Sequence, residues 1–171
     1  NEEDHLRLQV IRPGQALEDA LEEAIKIDQK LDQRVPYAWS DSYGYLTSCP
    51  TNTGTGLRLS VMIHLPALVL MDQMDNVHPA APKVGLTVRG FYGEGTKAVG
   101  DVIQISNQHT LGRSESEILK TLQNIVPKIV EYERGVRTHM INENRVSLED
   151  RVWRSMGTLR YARKLSSSET L

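Results

Sequence analysis

Arg58-Leu59-Ser60-Val61-Met62-Ile63-His64-Leu65 alternates without a break: Leu59, Val61, Ile63 and Leu65 fall on one side, Arg58, Ser60, Met62 and His64 on the other. Successive side chains of a strand point to opposite faces, so this period of two predicts a half-buried strand that starts on a cation. Pro66 follows, at the first-turn position that helices favour, and predicts a short helix over residues 66–74. Residues 84–89 and 101–106 read as two more strands, separated by the turn-forming Gly90-Phe91-Tyr92-Gly93-Glu94-Gly95. Upstream, residues 5–11 alternate as well, and residues 45–49 form a shorter candidate strand. Between these two, residues 15–34 place Leu17, Leu21, Ala24, Ile25 and Leu31 on one helical stripe. The pattern predicts an α+β fold, mostly antiparallel sheet flanked by helices.

The character changes at Ser114, which with Glu117 makes a capping box. A long helix should follow, with Ile118, Leu122, Ile125, Val126, Ile129 and Val136 on its apolar side and a kink at Pro127. Ser147 with Asp150 reads as a second helix start, leading to Leu148, Val152, Met156, Leu159 and Leu165. The expected organisation is one domain over residues 1–136 and the beginning of a helical module over 137–171. The chain opens without Met inside a polar cluster and stops in Ser166-Ser167-Ser168-Glu169-Thr170-Leu171, which is the expectation for a piece of a longer protein.

Bulk properties narrow the function classes. With 171 residues and 39% hydrophobic content, a real core is available. A net charge of -2 gives no electrostatic case for nucleic acid or an anionic membrane. The longest apolar run, residues 61–70, is broken by His64 and Pro66 and falls short of the roughly 20 residues that cross a bilayer. No basic-then-apolar leader opens the chain, which argues against export. A single cysteine excludes an internal disulfide and suits a reducing cytosol. His5, His64, His78 and His109 lack metal-ligand spacing.

Two separate stretches concentrate the chemistry. Asn1-Glu2-Glu3-Asp4-His5-Leu6-Arg7 sets three carboxylates before an arginine, and Cys49-Pro50-Thr51-Asn52-Thr53-Gly54-Thr55-Gly56-Leu57-Arg58 joins a thiol, a Thr- and Gly-rich turn and another arginine. Such a set suits phosphoryl transfer, and its resemblance to the guanidino kinases implies a guanidinium as the acceptor. That group stays protonated, so it must be held flat and lose a proton as attack begins, a task for two carboxylates on opposite edges. Glu3 and Glu94 are the candidates. Arg7, Arg58 and Arg89 sit in or beside strands, where they can offset a triphosphate together with magnesium. Gly54, Gly56, Gly90, Gly93 and Gly95 allow backbone N–H groups close to phosphate. Cys49 near such cations would ionise more readily and help to orient the guanidinium. Taken singly, Glu2-Glu3-Asp4 is also consistent with a solvated acidic turn, Cys49 with a small core filler, and Arg89-Gly90 with a plain hairpin.

In combination and order, these two stretches resemble the diagnostic blocks of the guanidino kinases, the ATP:guanido phosphotransferases. Tyr45-Leu46-Thr47, Arg89-Gly90…Gly93-Glu94 and Ile105-Ser106-Asn107…Leu111-Gly112 extend the resemblance, which runs from Asn1 to about Val130. Residues 61–70, Tyr92-Gly93-Glu94-Gly95-Thr96 and Leu148-Glu149-Asp150-Arg151-Val152-Trp153-Arg154-Ser155 are similar to the bacterial branch that phosphorylates arginine side chains of proteins. The resemblance implies a glutamine-synthetase/guanido-kinase-like catalytic domain, with ATP and Mg2+ as cofactors. It implies Glu3 as base, Glu94 as second clamp and Cys49 as site thiol. Arg7, Arg58 and Arg89 would bind phosphates. Leu59, Ser60, Val61 and Met62, with Gly90, Phe91, Tyr92 and Gly93, would line the nucleotide. Glu2 and Asp4 would sit near magnesium waters, with no direct metal ligand. The implied partners are proteins with exposed arginine, a stress-response repressor, a Clp-type protease and a second copy bound through the helical tail, all in the cytoplasm and with neither nucleic acid nor membrane. A phosphagen-type free-arginine kinase and a non-catalytic phosphoarginine-binding adaptor are the alternatives. Leu59 stands where the family usually has Ala, and the family's Arg-rich nucleotide strand is absent from these residues, so the piece alone is expected to be inactive.

Overall fold

Five strands and five helices organise residues 4–90 and 99–170, the part of the chain that the computed structural model describes. Trp39–Ser40 (β1) and Gly44–Tyr45 (β2) form a minimal antiparallel hairpin. Ser60–His64 (β3), Leu86–Gly90 (β4) and Val102–Asn107 (β5) form a three-stranded sheet in the order β3-β5-β4. Asn107 N–H donates to Leu59 O and Leu65 N–H to Asp101 O, so β5 runs back along β3 in antiparallel register. The helices are Leu17–Asp32 (α1), Pro66–Leu70 (α2), Met74–Val77 (α3), Glu115–Tyr161 (α4) and Ser167–Thr170 (α5). The fold is mixed, with small antiparallel sheets and helices, as the alternating runs predict.

Packing divides the chain into two units. Residues 1–61, 80–87 and 105–126 form the first. Its core gathers Leu17, Leu21, Leu59, Ala81, Leu86, Ile105, Ile118, Leu122 and Val126. On α1 the inward stripe runs through Asp28, whose carboxylate accepts Tyr45 Oη–H at 2.8 Å, and Ile25 is exposed. Burial and that carboxylate push the Tyr45 hydroxyl well above its usual range. Tyr37 and Trp39 meet the Tyr45 ring edge-on.

Residues 62–79, 88–104 and 127–171 form the second unit, with Leu65, Ala67, Leu68, Val77, Ile103 and Met140 in its core. Glu133, 3% exposed, is buried among them. Its carboxylate accepts Ala67 N–H at 3.0 Å and Leu68 N–H at 2.9 Å, and Arg137 donates to it at 2.8 Å. The first turn of α2, which has no side-chain cap of its own, is thus capped from α4.

Four expected elements differ, the helix over residues 66–74 among them: it ends at Leu70, and α3 begins only at Met74. Residues 5–11 form no strand, and Leu6, Leu8 and Ile11 are exposed; alternation without a ladder partner does not hold a strand in place. Residues 45–49 contribute only Tyr45 to a strand, since Cys49 already enters the 3₁₀ turn Pro50–Asn52. The expected start at Ser147 is absent: α4 is one 47-residue helix through Pro127 and Ser147. Among the described residues no helix is long and apolar enough to cross a membrane.

Candidate functional site

In the first unit the Cys49 turn is braced from three directions. Cys49 is half-buried in extended conformation, its Sγ 2.9 Å from Thr51 Oγ1. Thr47 Oγ1 donates to Cys49 O at 2.7 Å. Asp4 reaches the turn from the acidic stretch: Oδ1 accepts Ser48 N–H at 3.0 Å and Oδ2 accepts Asn52 Nδ2–H at 2.7 Å. One carboxylate therefore ties down both flanks of the thiol. Each oxygen keeps a further lone pair for water.

The third brace is Thr110, 8% exposed, whose hydroxyl lies 2.9 Å from Thr51 O and 2.6 Å from Thr53 O, while its own carbonyl accepts Thr55 N–H at 3.1 Å. Gly54 is squeezed between this segment and β2. A Cβ on it would stand 2.4 Å from Thr110 O, and its N–H donates to Tyr45 O at 3.2 Å. The expectation that Gly54 offers its amide to phosphate is therefore corrected: the amide is used inside the fold. Gly56, at φ +60, has nothing nearer its missing Cβ than Tyr45 Cδ2 at 3.7 Å and remains open.

Arg58 is exposed at the entry to β3, with Leu57 and Leu59 on either side held by the Asn107 carboxamide. Arg7 is exposed on the extended segment before α1. Ser60 and Val61 are both half-buried, and burial alternates from Val61 onward, with Met62 exposed. In the second unit Arg89 is half-buried on β4 and Gly90 is buried at its end. Glu2, Glu3, Phe91, Tyr92, Gly93 and Glu94 lie outside the described residues, as does Gly95. Asp4, Cys49 and the turn leading to Arg58 are thus brought together as one hydrogen-bonded body. Among the described residues no three or more His, Cys, Asp or Glu side chains are grouped to hold a metal ion.

Asn107 and Thr110 were not among the expected site residues. They hold the turn from 48 and 57 positions away in sequence, and their only sequence signal is membership of the Ile105-Ser106-Asn107…Leu111-Gly112 stretch.

Residues 1–136 match the model of the ATP:guanido phosphotransferase C-terminal catalytic domain. The protein-arginine kinase of Brevibacillus brevis is 53% identical over 169 residues, covering 99% of this chain and 47% of that protein. The Bacillus subtilis protein-arginine kinase is 49% identical over 170 residues, again 99% of this chain and 47% of its own length. The chain spans about half the length of the curated relatives it matches. Among solved structures, the duplicated taurocyamine kinase of Schistosoma mansoni, with bound transition state analog components, superposes with a TM-score of 0.63 at 33% identity, over 70% of this chain and 16% of that one. Lombricine kinase gives 0.53 at 35% identity, over 71% and 31%.

Proposed function

The chain belongs to the ATP:guanido phosphotransferase family, and from that premise we propose that the whole protein is a protein-arginine kinase, transferring the γ-phosphate of ATP to arginine side chains of other proteins. The observation that carries this reading is the extent of the likeness. Identity of about half to protein-arginine kinases covers 99% of the chain, including residues beyond 136 where the family model stops, whereas the taurocyamine and lombricine kinase structures cover 70% and 71% of it.

In this reading Glu3 takes the proton from the attacking guanidinium nitrogen while Glu94 holds the opposite edge of the cation. The N–P bond forms as the bond from the γ-phosphorus to the bridging oxygen breaks, leaving ADP. Arg7, Arg58 and Arg89 stabilise the charge on the phosphates, with residues 59–62 and 90–93 along the nucleotide. Cys49 orients the guanidinium. Magnesium supplies charge neutralisation when bound, and Glu2 and Asp4 would reach it through water. The two-sided bond of Asp4 to Ser48 and Asn52 supports a shared site for the acidic stretch and the thiol.

Residues 1–136 would be the catalytic part and 137–171 the start of a helical module that joins two copies. The cytoplasmic setting, the Clp-type protease that reads the mark and a stress-response repressor as partner belong to the same proposal.

Incubating the whole protein with ATP, magnesium and casein should place acid-labile phosphate on arginine, and Glu3→Gln should lower that rate at least ~100-fold. Phosphate found only on free arginine would instead indicate a phosphagen-type kinase. No transfer at all, with phosphoarginine binding retained in Glu3→Gln, would indicate an adaptor.

A further inference from the structure

Asn107 is 6% exposed, and its carboxamide is fully engaged. Oδ1 accepts Leu59 N–H at 2.8 Å, and Nδ2 donates to Leu57 O at 2.9 Å and to His109 O at 3.1 Å. The Leu57 carbonyl and the Leu59 N–H belong to the two peptide planes on either side of the Arg58 Cα. A carboxamide offers one donor and one acceptor side by side, as a neighbouring strand's backbone would. The side chain therefore carries the ladder back past Ser60, where β3 begins, to the residue that bears the guanidinium. Both dihedrals that aim Arg58 are fixed by this grip.

The chemistry requires an amide. Aspartate has the same shape but would turn an oxygen toward the carbonyls of Leu57 and His109, with no proton to share. Serine is too short to reach both peptide planes. A buried group that only filled space would not need two donors and an acceptor in this order.

We propose that Asn107 is a positioning residue for nucleotide binding, fixing the direction in which Arg58 meets the phosphates of ATP. This rests on the assignment of Arg58 as a phosphate ligand. Asn107 touches no reacting atom, so its effect is confined to the nucleotide side of the kinetics.

The test uses Asn107→Asp and the milder Asn107→Ser in the whole protein, below each variant's melting transition. ATP Kd by calorimetry and ATP KM should both rise roughly tenfold, while KM for the protein substrate stays unchanged. Combined with Arg58→Ala, either change should weaken ATP binding no further than Arg58→Ala does alone. Unchanged ATP affinity in both Asn107 variants, or effects that add fully to Arg58→Ala, would overturn the proposal and leave the kinase reading standing. An Arg58→Ala variant that binds ATP normally would overturn both the proposal and the phosphate role of Arg58. If Asn107→Asp does not fold, Asn107→Ser decides.

Discussion

At Gly54 the backbone runs at φ +108, a conformation that side chains rarely adopt, and the space beside it is filled by main chain. Thr110 O and Leu111 Cα would lie 2.4 and 2.7 Å from an added Cβ, and neither can swing away as a side-chain tip would. Gly54→Ala should therefore cost on the order of 3 kcal/mol and loosen the Cys49 turn, measured by chemical denaturation. A cost under about 1 kcal/mol would mean that the turn adapts freely. Glu133 is the second residue whose surroundings fix its identity. It satisfies two backbone donors at the start of α2, where Pro66 at N1 has no N–H to lose, and it receives Arg137. Glu133→Ala would leave two buried N–H groups without acceptors, for a loss of about 3 kcal/mol by denaturant titration. Neither residue announces this in sequence. Gly54 reads as a phosphate-loop glycine and Glu133 carries no signal of its own, because the Thr110 segment against Gly54 and the α2 amides on Glu133 lie more than fifty positions away.

Helix ends show the same contrast between local and distant signals. The helix predicted over residues 66–74 stops at Leu70 in a Schellman turn before α3 starts at Met74: Gln73 N–H donates to Leu68 O and Asp72 N–H to Val69 O, with Asp72 at φ +52. Glycine normally marks that position, and its replacement by aspartate hid the break. Asp72→Gly should raise stability by roughly 0.5 kcal/mol, the relief of a left-handed side chain less the added freedom of the unfolded chain, seen as a higher melting temperature. The start of α4, by contrast, is legible from Ser114 and Glu117 alone. Ser114 N–H donates to the Glu117 carboxylate at 2.8 Å, and Glu117 N–H returns a bond to Ser114 Oγ at 3.3 Å. The Ser114 N–H bond, together with Ser114 Oγ–H donating to the same carboxylate at 3.0 Å, holds the Glu117 carboxyl below its usual value of 4.5. A lowered folded pKa gives stability that is complete above 4.5 and disappears as pH falls through the folded value. Glu117→Gln should flatten that acid limb of a stability–pH profile; an unchanged limb would exclude the carboxylate as its source. β3 and β5 were readable because alternation and a ladder partner coincide. Residues 5–11 alternate equally well and form no strand, so periodicity marks which face a segment can bury, and pairing decides whether it becomes a strand. Of the candidate site, the Cys49 turn and Arg58 were legible from residue types, while their supports, Asn107 and Thr110, depend on contacts that only the folded chain creates.

For the whole molecule the open question is what α4 does beyond the core. At 47 residues it extends about 70 Å at ~1.5 Å per residue. Ile118, Leu122, Val126, Glu133 and Met140 are buried along its earlier part, whereas Val146 (81%), Val152 (56%), Trp153 (70%) and Met156 (51%) stand exposed beyond it. Leu148, Val152, Met156 and Leu159 recur at helical spacing and form one apolar stripe. The pairs Arg145–Glu149 and Arg154–Asp150, each four residues apart, support the helix without using that stripe. A second copy of the protein, joined through the helical tail as proposed, would give these side chains a dry partner. Val152→Glu with Met156→Glu would put two carboxylates on the stripe, and burying them against an apolar face is costly. Light scattering of the whole protein should then report the mass of a dimer for the wild type and of a monomer for the double variant. Far-UV circular dichroism should stay unchanged, because both sites are solvent-facing positions of a continuous helix. A variant that keeps the wild-type mass would show that the two copies, if joined, meet elsewhere, and a monomeric wild type would remove the dimer from the proposal altogether.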